Sequence, residues 1–516
     1  TGARWVPGGC RRATACALPA PDHDRADLVG DPCETSLSER DSASDWRYCG
    51  CMTSTIDRRR LLGTVLIATF IGQFDFFVVN VAAPDIQTSL GAGNTALELV
   101  VAGYAFMYAA GLVTGGRLGD LLGRRRVFIV GLTAFAVTSA LCGLAPNAGA
   151  LIACRAMQGL SAAVMLPQVL AFINTVVAPE RRGWAMGWFG VASGVGSIAG
   201  QGLGGFLVQA NPWGLGWRLI FLVNVPIMLI AIIASLRYLP PVSSRGENSV
   251  DGIGALAVFV GVAGLMGAAL LAQYQRPRIA IASGVLGLIV LAVTIRSQAS
   301  RVAKELPVTL NPRLFLVRSM RLGSVASGAF MAYFASFMFV LTVVLQRYCD
   351  LTPIQAGLVF VPSGATFMIS SLAGSSQVRK HLRGSLMLGC GITSIGLGVI
   401  VVAILAGSSA STLPWWLVVA VSLTGFGNGL ILPTLTGLSL SEVAPKQAGM
   451  ASGVVTTLQQ FGASLGVVIV GAIFYSFATK SMINGMTAST IIHILLVALV
   501  GFTCWRATIK QEATAR

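Results

Sequence analysis

A chain of 516 residues that is 54% apolar and 11% charged, with a mean hydropathy of +0.76, has less than half the roughly 25% charged residues of soluble domains. That balance excludes a string of soluble domains and points to a polytopic membrane protein. The net charge of +16 is no argument for nucleic acid, because the basic residues collect between apolar runs, where they set topology and attract anionic lipid.

Residues 1–51 carry eight acidic and six basic side chains and five of the ten cysteines, with no apolar stretch that could form a signal-peptide core. This extension is expected to be disordered. Met52 then opens MTSTIDRRR directly before the first apolar run, and we read Met52 as the natural start and residues 1–51 as a non-native extension, the alternative being a genuine cytoplasmic extension. The remaining cysteines stand singly, without C-x-x-C spacing, and the chain has three histidines, so neither a disulfide framework nor a metal site is expected.

From about residue 61, apolar runs of about 20 residues recur, each long enough to cross a hydrocarbon core of about 30 Å. Fourteen helices are expected, at about 61–83, 97–116, 127–145, 150–175, 185–208, 218–236, 252–272, 279–295, 323–345, 354–376, 385–405, 414–434, 450–475 and 487–507. Basic residues test the count, since one miscounted span would invert every later loop. Arg58, Arg59 and Arg60 place the N-terminus inside, and alternate connections carry Arg124 to Arg126, Arg181, Arg237, Arg301, Arg379 and Lys446 with their basic neighbours. The intervening connections hold only Arg276, Arg278, Arg347 and Lys480, so both termini are expected in the cytoplasm.

In chain order, the first intramembrane charge is Asp75 in FIGQFDFFVVN, about 22 Å into helix one at 1.5 Å per residue. An ionisable group there costs about 2.5–3.5 kcal/mol on insertion scales and is a functional candidate by default. Arg155 enters helix four from the outer side and reaches down toward Asp75, with Gln158 on the same helical face. The favoured reading is proton coupling, in which motion that changes the Asp75–Arg155 distance switches proton affinity; the alternative is a static buried ion pair that fixes packing. Asn80 is a substrate or a packing contact, and Glu98, near the outer end of helix two, is an interfacial carboxylate or a substrate selector. At the inner end of helix two, GGRLGDLLGRRR puts Asp120 four residues before Arg124, in pairing range on one helix, and its glycines suggest close approach and a lock at the inner gate.

Helix five holds GQGLGG, which fits a dinucleotide-binding spacing, but no strand precedes it. Gly196, Gly200 and Gly204 instead form one stripe that lets a neighbouring helix approach closely. GASLG, residues 462–466, fits a nucleophile elbow by spacing but lies inside a helix, so no catalytic centre is expected.

Sliding the chain by 266 residues aligns Gly159 with Gly425, Pro167 with Pro433, the run Val177 to Pro179 with Val443 to Pro445, and Gly187, Gly196, Gly200 and Gly205 with Gly453, Gly462, Gly466 and Gly471. Such a repeat between helices of equal orientation implies two halves related by an axis along the membrane normal. The expected organisation is an all-α polytopic membrane protein with six-helix halves at 52–236 and 323–507, an inserted helix pair and linkers at 237–322, and a cytoplasmic tail at 508–516.

These stretches also resemble known signatures. GGRLGDLLGRRR resembles the helix two to three signature of the major facilitator superfamily, with Gly116, Asp120, Gly123, Arg124 and Arg125 at its key positions. RAMQGLSAA, from Arg155, is similar to the helix-four signature of its drug:proton antiporters, whose arginine is associated with proton coupling. FDFFVVNVAAP and WRLIFLVNVPI resemble the fourteen-helix EmrB/QacA-type multidrug exporters, with Ala83 where leucine is usual. Gly187 and Gly205 resemble the antiporters' helix-five signature, in which a proline usually stands where this chain has Gln201, so helix five should be straighter and carry an extra amide.

The resemblance implies proton-driven efflux of amphipathic compounds by alternating access across the inner (plasma) membrane. Asp75 and Arg155 would act in coupling, Asp120 and Arg124 in gating, and Asn80, Gln158 and Gln201 would line the substrate cavity. The partners implied are a small amphipathic substrate, protons and the lipid bilayer, with no cofactor, no nucleic acid and a periplasmic adaptor left open. AGSSQVRKHLRG in the second half lacks the gating acid, and helices nine to eleven hold no carboxylate, which argues against a dicationic substrate. The rival readings are a passive or proton-coupled transporter of one metabolite and a non-transporting membrane sensor.

Overall fold

The computed structural model describes residues 58–177, 182–240, 251–273, 277–304, 306, 308, 311–405, 415–443 and 448–515. The expectations for residues 1–51, including the role of Met52, lie outside the described residues. The helices are α1 (Arg58–Leu90), α2 (Asn94–Leu122), α3 (Arg124–Gly143), α4 (Ala148–Val176), α5 (Arg182–Ala210), α6 (Asn224–Tyr238), α7 (Gly252–Gln273) and α8 (Pro277–Ala303), followed by α9 (Arg318–Arg347), α10 (Pro353–Leu405), α11 (Trp415–Leu440), α12 (Ala448–Ala478) and α13 (Met482–Ala515). A short helix, Leu219–Leu222, leads into α6. Among the described residues there is no strand, which suits apolar segments that must satisfy every backbone group internally.

Among the described residues, thirteen segments are long and apolar enough to cross a membrane, and the molecule is a multi-pass membrane protein. Two of them, Pro353–Ser371 and Arg383–Val402, lie on α10. The fourteenth expected span falls on α7, whose counted apolar stretch is Gly252–Leu265. The two legs of α10 flank one stretch of α11 in opposite directions. Ser363 and Phe367 present their carbonyls to Gly425 and Gly429, whereas Gly389 and Gly396 lie against Gly427 and Ala420. They are therefore antiparallel, as separate crossings at 354–376 and 385–405 require.

The contacts repeat between halves. In the first half α1 packs on α5 and α6, α2 on α4, and α3 on α6; in the second, α9 packs on α12 and α13, and α10 on both α11 and α13. Across the seam the contacts are reciprocal: α5 meets α10, α12 meets α2, and α1 meets α9. Reciprocity of this kind is what a two-fold axis demands. The inserted pair, α7 and α8, pack on each other, and α7 leans on α2.

Glycines allow the closest approaches. A Cβ on Gly196, Gly200 or Gly204 would lie 2.5 Å from the Phe70 carbonyl, 2.7 Å from that of Phe74 and 2.6 Å from a Val78 methyl, so α5 lies directly on α1. Their repeat partners Gly462 and Gly466 press against the Gly328 and Ala332 carbonyls of α9. Gly205 closes on the Pro353 carbonyl across the seam. Gly187 lies within α5, and its surroundings are outside the described residues.

The bundle's terminal end is marked by Arg60 over the Tyr238 ring and by Arg318 donating to the Arg506 carbonyl at 2.6 Å. At the opposite end the halves are joined. Gln346 donates to the Val81 carbonyl at 2.7 Å, Arg347 to Gln87 at 2.5 Å, and Ser464 to the Ala102 carbonyl at 3.2 Å. From Val78 to Ile86, α1 is buried apart from Asp85, so the half of the bundle away from the termini is sealed.

Candidate functional site

Midway along α1, Asp75 lies in a largely apolar run and is fully buried. Three donors surround it. Arg155 of α4 donates through Nη1 to Oδ2 at 2.5 Å, while Gln158 of α4 and Asn224 of α6 each donate to Oδ1 at 2.9 Å. Both amides also donate to Ser139 of α3 at 3.1 Å, and the Ser139 hydroxyl donates to the Phe221 carbonyl at 2.9 Å. Four helices thus converge on one carboxylate.

The guanidinium is held as firmly. Arg155 donates from Nε to the Val100 carbonyl at 3.2 Å and from Nη1 to Gln158 at 2.7 Å, and it lies 4.6 Å from the centroid of the Tyr104 ring. A buried charge is tolerable when paired and hydrogen-bonded, and costly when its partner is removed. Tyr104 begins a run of ring contacts, to Phe76 at 6.1 Å, from there to Phe77 at 5.0 Å, and over the seam to Phe334 of α9 at 5.9 Å. The pair is therefore packed through to the second half.

The structure brings together Asp75, Arg155 and Gln158. It encloses Gln158 within the first half, its amide engaged by Asp75, Arg155 and Ser139, so this candidate for the substrate cavity is closed to any cavity in this conformation. Asn80 and Gln201 lie apart from the cluster, both buried, and each amide oxygen has no hydrogen-bond partner. Gln201 sits at the seam, donating to Met338 Sδ at 3.6 Å, with its backbone carbonyl against Gly357 of α10. The helix that carries it, α5, runs unbroken from Arg182 to Ala210.

The turn between α2 and α3 corrects one expectation. Asp120 and Arg124 do not share a helix, because α2 ends at Leu122 and Gly123 adopts φ +90° before α3 starts at Arg124. That backbone region favours glycine, and it redirects the chain within the four-residue spacing. The Asp120 side chain lies outside the described residues. Arg124 donates to the Ala171 carbonyl at 3.3 Å and Arg125 to that of Leu236 at 2.5 Å, fastening the start of α3 to α4 and α6. Gly116 meets only Pro167, at an ordinary 3.8 Å. Gly111, Gly115 and Gly119 make the close approach to α4, with Gln168 donating to the Gly115 carbonyl at 2.8 Å.

Sequence reasoning missed Ser139, Asn224 and Tyr104. Asn224 offered a signal, a lone amide inside the apolar run LIFLVNVPI; a serine or tyrosine within a span is too common to stand out.

Comparison with known proteins follows this geometry. Residues 65–467 match the model of the Major Facilitator Superfamily. The "Probable actinorhodin transporter" of Streptomyces coelicolor is 32% identical over 437 residues, covering 82% of this chain and 74% of that protein. The puromycin resistance protein pur8 of Streptomyces alboniger is 31% identical over 427 residues, 81% of this chain and 82% of the relative. Multidrug resistance protein Stp of Mycobacterium tuberculosis is 31% identical over 443 residues, 83% and 78%. Among solved structures, the Escherichia coli xylose transporter XylE superposes with a TM-score of 0.58 at 13% identity, covering 87% of this chain and 98% of that one. A peptide transporter, POT, does so at 0.63 and 15%, covering 86% and 95%. At such identities these two show the fold alone.

Proposed function

The chain belongs to the Major Facilitator Superfamily, and on that premise we propose that it exports drug-like amphipathic small molecules by alternating access, driven by protons moving inward through Asp75. The observation that carries the reading is the enclosed Asp75–Arg155 pair, midway through a two-fold bundle whose halves are joined at one end. Relatives named for resistance to puromycin and to multiple drugs support the export direction and the substrate class.

The basic connections between spans orient the terminal end toward the cytoplasm, in the inner (plasma) membrane, which makes the joined end the outer one. With this end joined, Arg155 donates to Asp75 at 2.5 Å, the pairing of an ionised carboxylate, as an antiporter that has released its proton inside and awaits substrate requires. Once substrate has carried the protein to the packing open to the outside, a proton arriving from there neutralises Asp75 and leaves Arg155 without its counter-charge, and return to the present packing expels that proton to the cytoplasm. Because a buried unpaired cation is strongly unfavourable, the helices that carry the two residues rearrange, and protonation favours the outward-facing packing. No cofactor is needed, since the proton gradient supplies the work.

Substrate would lie at the seam, where Phe77, Phe334 and Met338 offer adaptable apolar contact and Gln201 and Asn80 offer free amide oxygens. The α2–α3 turn, with Asp120, Gly123, Arg124 and Arg125, would act as the inner gate. The experiment follows ethidium leaving loaded cells, with and without a protonophore, for wild type and Asp75→Asn. Export by wild type that collapses with protonophore, and is absent in the variant, is expected. Export indifferent to both treatments rejects proton coupling through Asp75.

A further inference from the structure

The second half contains its own buried polar cluster, built on the helices equivalent to those of the Asp75 cluster. Tyr333 and Ser336 come from α9, Thr393 from the second leg of α10, Asn428 from α11 and His493 from α13. Asp75 and Ser336 lie at matching depth, 17 and 18 residues beyond the first residues of α1 and α9. Asn428 stands one turn beyond Thr424, the repeat partner of Gln158. Asn428 donates to the Tyr333 hydroxyl at 3.3 Å, and Thr393 donates to the Asn428 carbonyl oxygen at 3.4 Å. His493 lies on the sixth crossing of its half, as Asn224 does in the first, three residues beyond Thr490, the position that the 266-residue offset pairs with Asn224.

The protonation pattern of His493 follows from its neighbour. The single Ser336 hydrogen has two backbone acceptors within reach, the Ala332 carbonyl at 2.6 Å and the Tyr333 carbonyl at 3.1 Å; with the hydrogen given to backbone, the Ser336 oxygen accepts in its 3.0 Å contact with His493 Nε2. Nε2 therefore carries the hydrogen, and Nδ1 is left with a lone pair. That nitrogen is buried with no hydrogen-bond partner, on a fully buried ring. The titratable groups around it are Tyr333 of α9, whose ring lies 5.7 Å away, and the Cys390 thiol of α10 beside Tyr333, with Cys504 of α13 next to Cys390; the α11 face contributes only the neutral Asn428. Among the described residues no carboxylate or cation lies in this cluster.

We propose that Nδ1 of His493 is a second proton-binding site of the transport cycle, empty while the halves are joined at the outer end, as here, and occupied when that end opens. An imidazolium in the present packing would be an enclosed, unpaired charge, which is strongly unfavourable. Charge on His493 and this arrangement of α9, α10 and α13 therefore exclude each other, which is the requirement for a proton linked to conformation. The ring contacts that cross the seam from Phe77 to Phe334 continue through Phe330 at 5.9 Å and on to Tyr333 at 5.9 Å. Close packing transmits a shift at either cluster toward the other. The inference rests on the proton-coupled reading of the Asp75 site.

The chain has only three histidines, His23, His381 and His493, so histidine-labelled full-length protein in lipid nanodiscs gives a nitrogen NMR spectrum in which the signal missing from His493→Gln identifies the site. The glutamine retains a donor to Ser336 but takes up no proton. On acidification the His493 signal is expected to pass from the Nε2–H tautomer to imidazolium, and Asp75→Asn, which mimics the protonated acid, should bring that change to higher pH. A ring that stays neutral throughout, a ring in the Nδ1–H tautomer, or a titration untouched by Asp75→Asn overturns the proposal. Folding of each variant is checked by its thermal melting, and Ser336→Ala, which removes the acceptor, should allow the other tautomer. Ethidium export by wild type that ignores a protonophore would mark the failure of proton coupling itself, independently of the His493 titration.

Discussion

Arg155 makes three polar contacts inside the bundle, to Asp75, Gln158 and the Val100 carbonyl, so its replacements should separate into distinct outcomes. Arg155→Ala strands a buried carboxylate, and removing one partner of such a pair costs about 3–5 kcal/mol; a lower melting temperature and reduced membrane abundance are expected. Asp75→Asn keeps the shape and accepts hydrogen bonds through its amide oxygen, so it should fold better than Arg155→Ala while losing proton dependence. The double variant Asp75→Asn with Arg155→Gln should regain melting temperature without regaining proton-driven transport, and transport restored along with stability would contradict a coupling role. At the seam, the free Gln201 amide oxygen leads us to expect that Gln201→Ala changes the pattern of exported compounds more than protein abundance; a fall in abundance alone would assign it to packing. Asp75 and Arg155 were legible in the sequence because charge in an apolar run is costly and rare. Ser139 and Asn224 were not, since uncharged polar residues within spans have many ordinary uses and only the fold shows which of them converge.

Between elements, the glycine stripe was legible as a stripe but not in its target. The spacing of Gly196, Gly200 and Gly204 announced close approach, and the structure shows α1 as the partner, with its carbonyls in the contact. Gly200→Val should therefore push α5 off α1, with an overpacking cost of about 1–3 kcal/mol or more, whereas Gly190→Ala, with nothing within 4 Å of the new methyl, should be tolerated; thermal melting of the two variants tests the contrast. The Asp120–Arg124 spacing misled for a local reason: four residues make an on-helix pair only where the helix continues, and the positive φ of Gly123 ends it. Gly123→Ala should accordingly be less stable than wild type by about 1 kcal/mol or more, from forcing a side chain into that region. Within α2, sequence attention fell on Gly116, yet the face that meets α4 carries Gly111, Gly115 and Gly119. The assignment of faces came from packing, which a motif does not encode.

For the whole molecule, the crossings and their repeat were readable because apolar length, basic connections and a 266-residue offset are properties of the chain itself. Which end is closed was not readable, since the same sequence must support both conformations of an alternating-access cycle. The closed end rests on side-chain hydrogen bonds between halves, including Gln346 to Val81 and Arg347 to Gln87, whose individual net worth is about 0.5–3 kcal/mol. Bonds of that size can be broken and remade without a large input of free energy. The most direct test of the central claim uses purified protein in sealed vesicles containing a pH-sensitive dye, with ethidium movement and internal pH followed together. Wild type should move protons against ethidium and accumulate ethidium when a pH gradient is imposed, and Asp75→Asn should bind ethidium yet show neither effect. Gradient-driven accumulation by Asp75→Asn at the wild-type level would contradict the account.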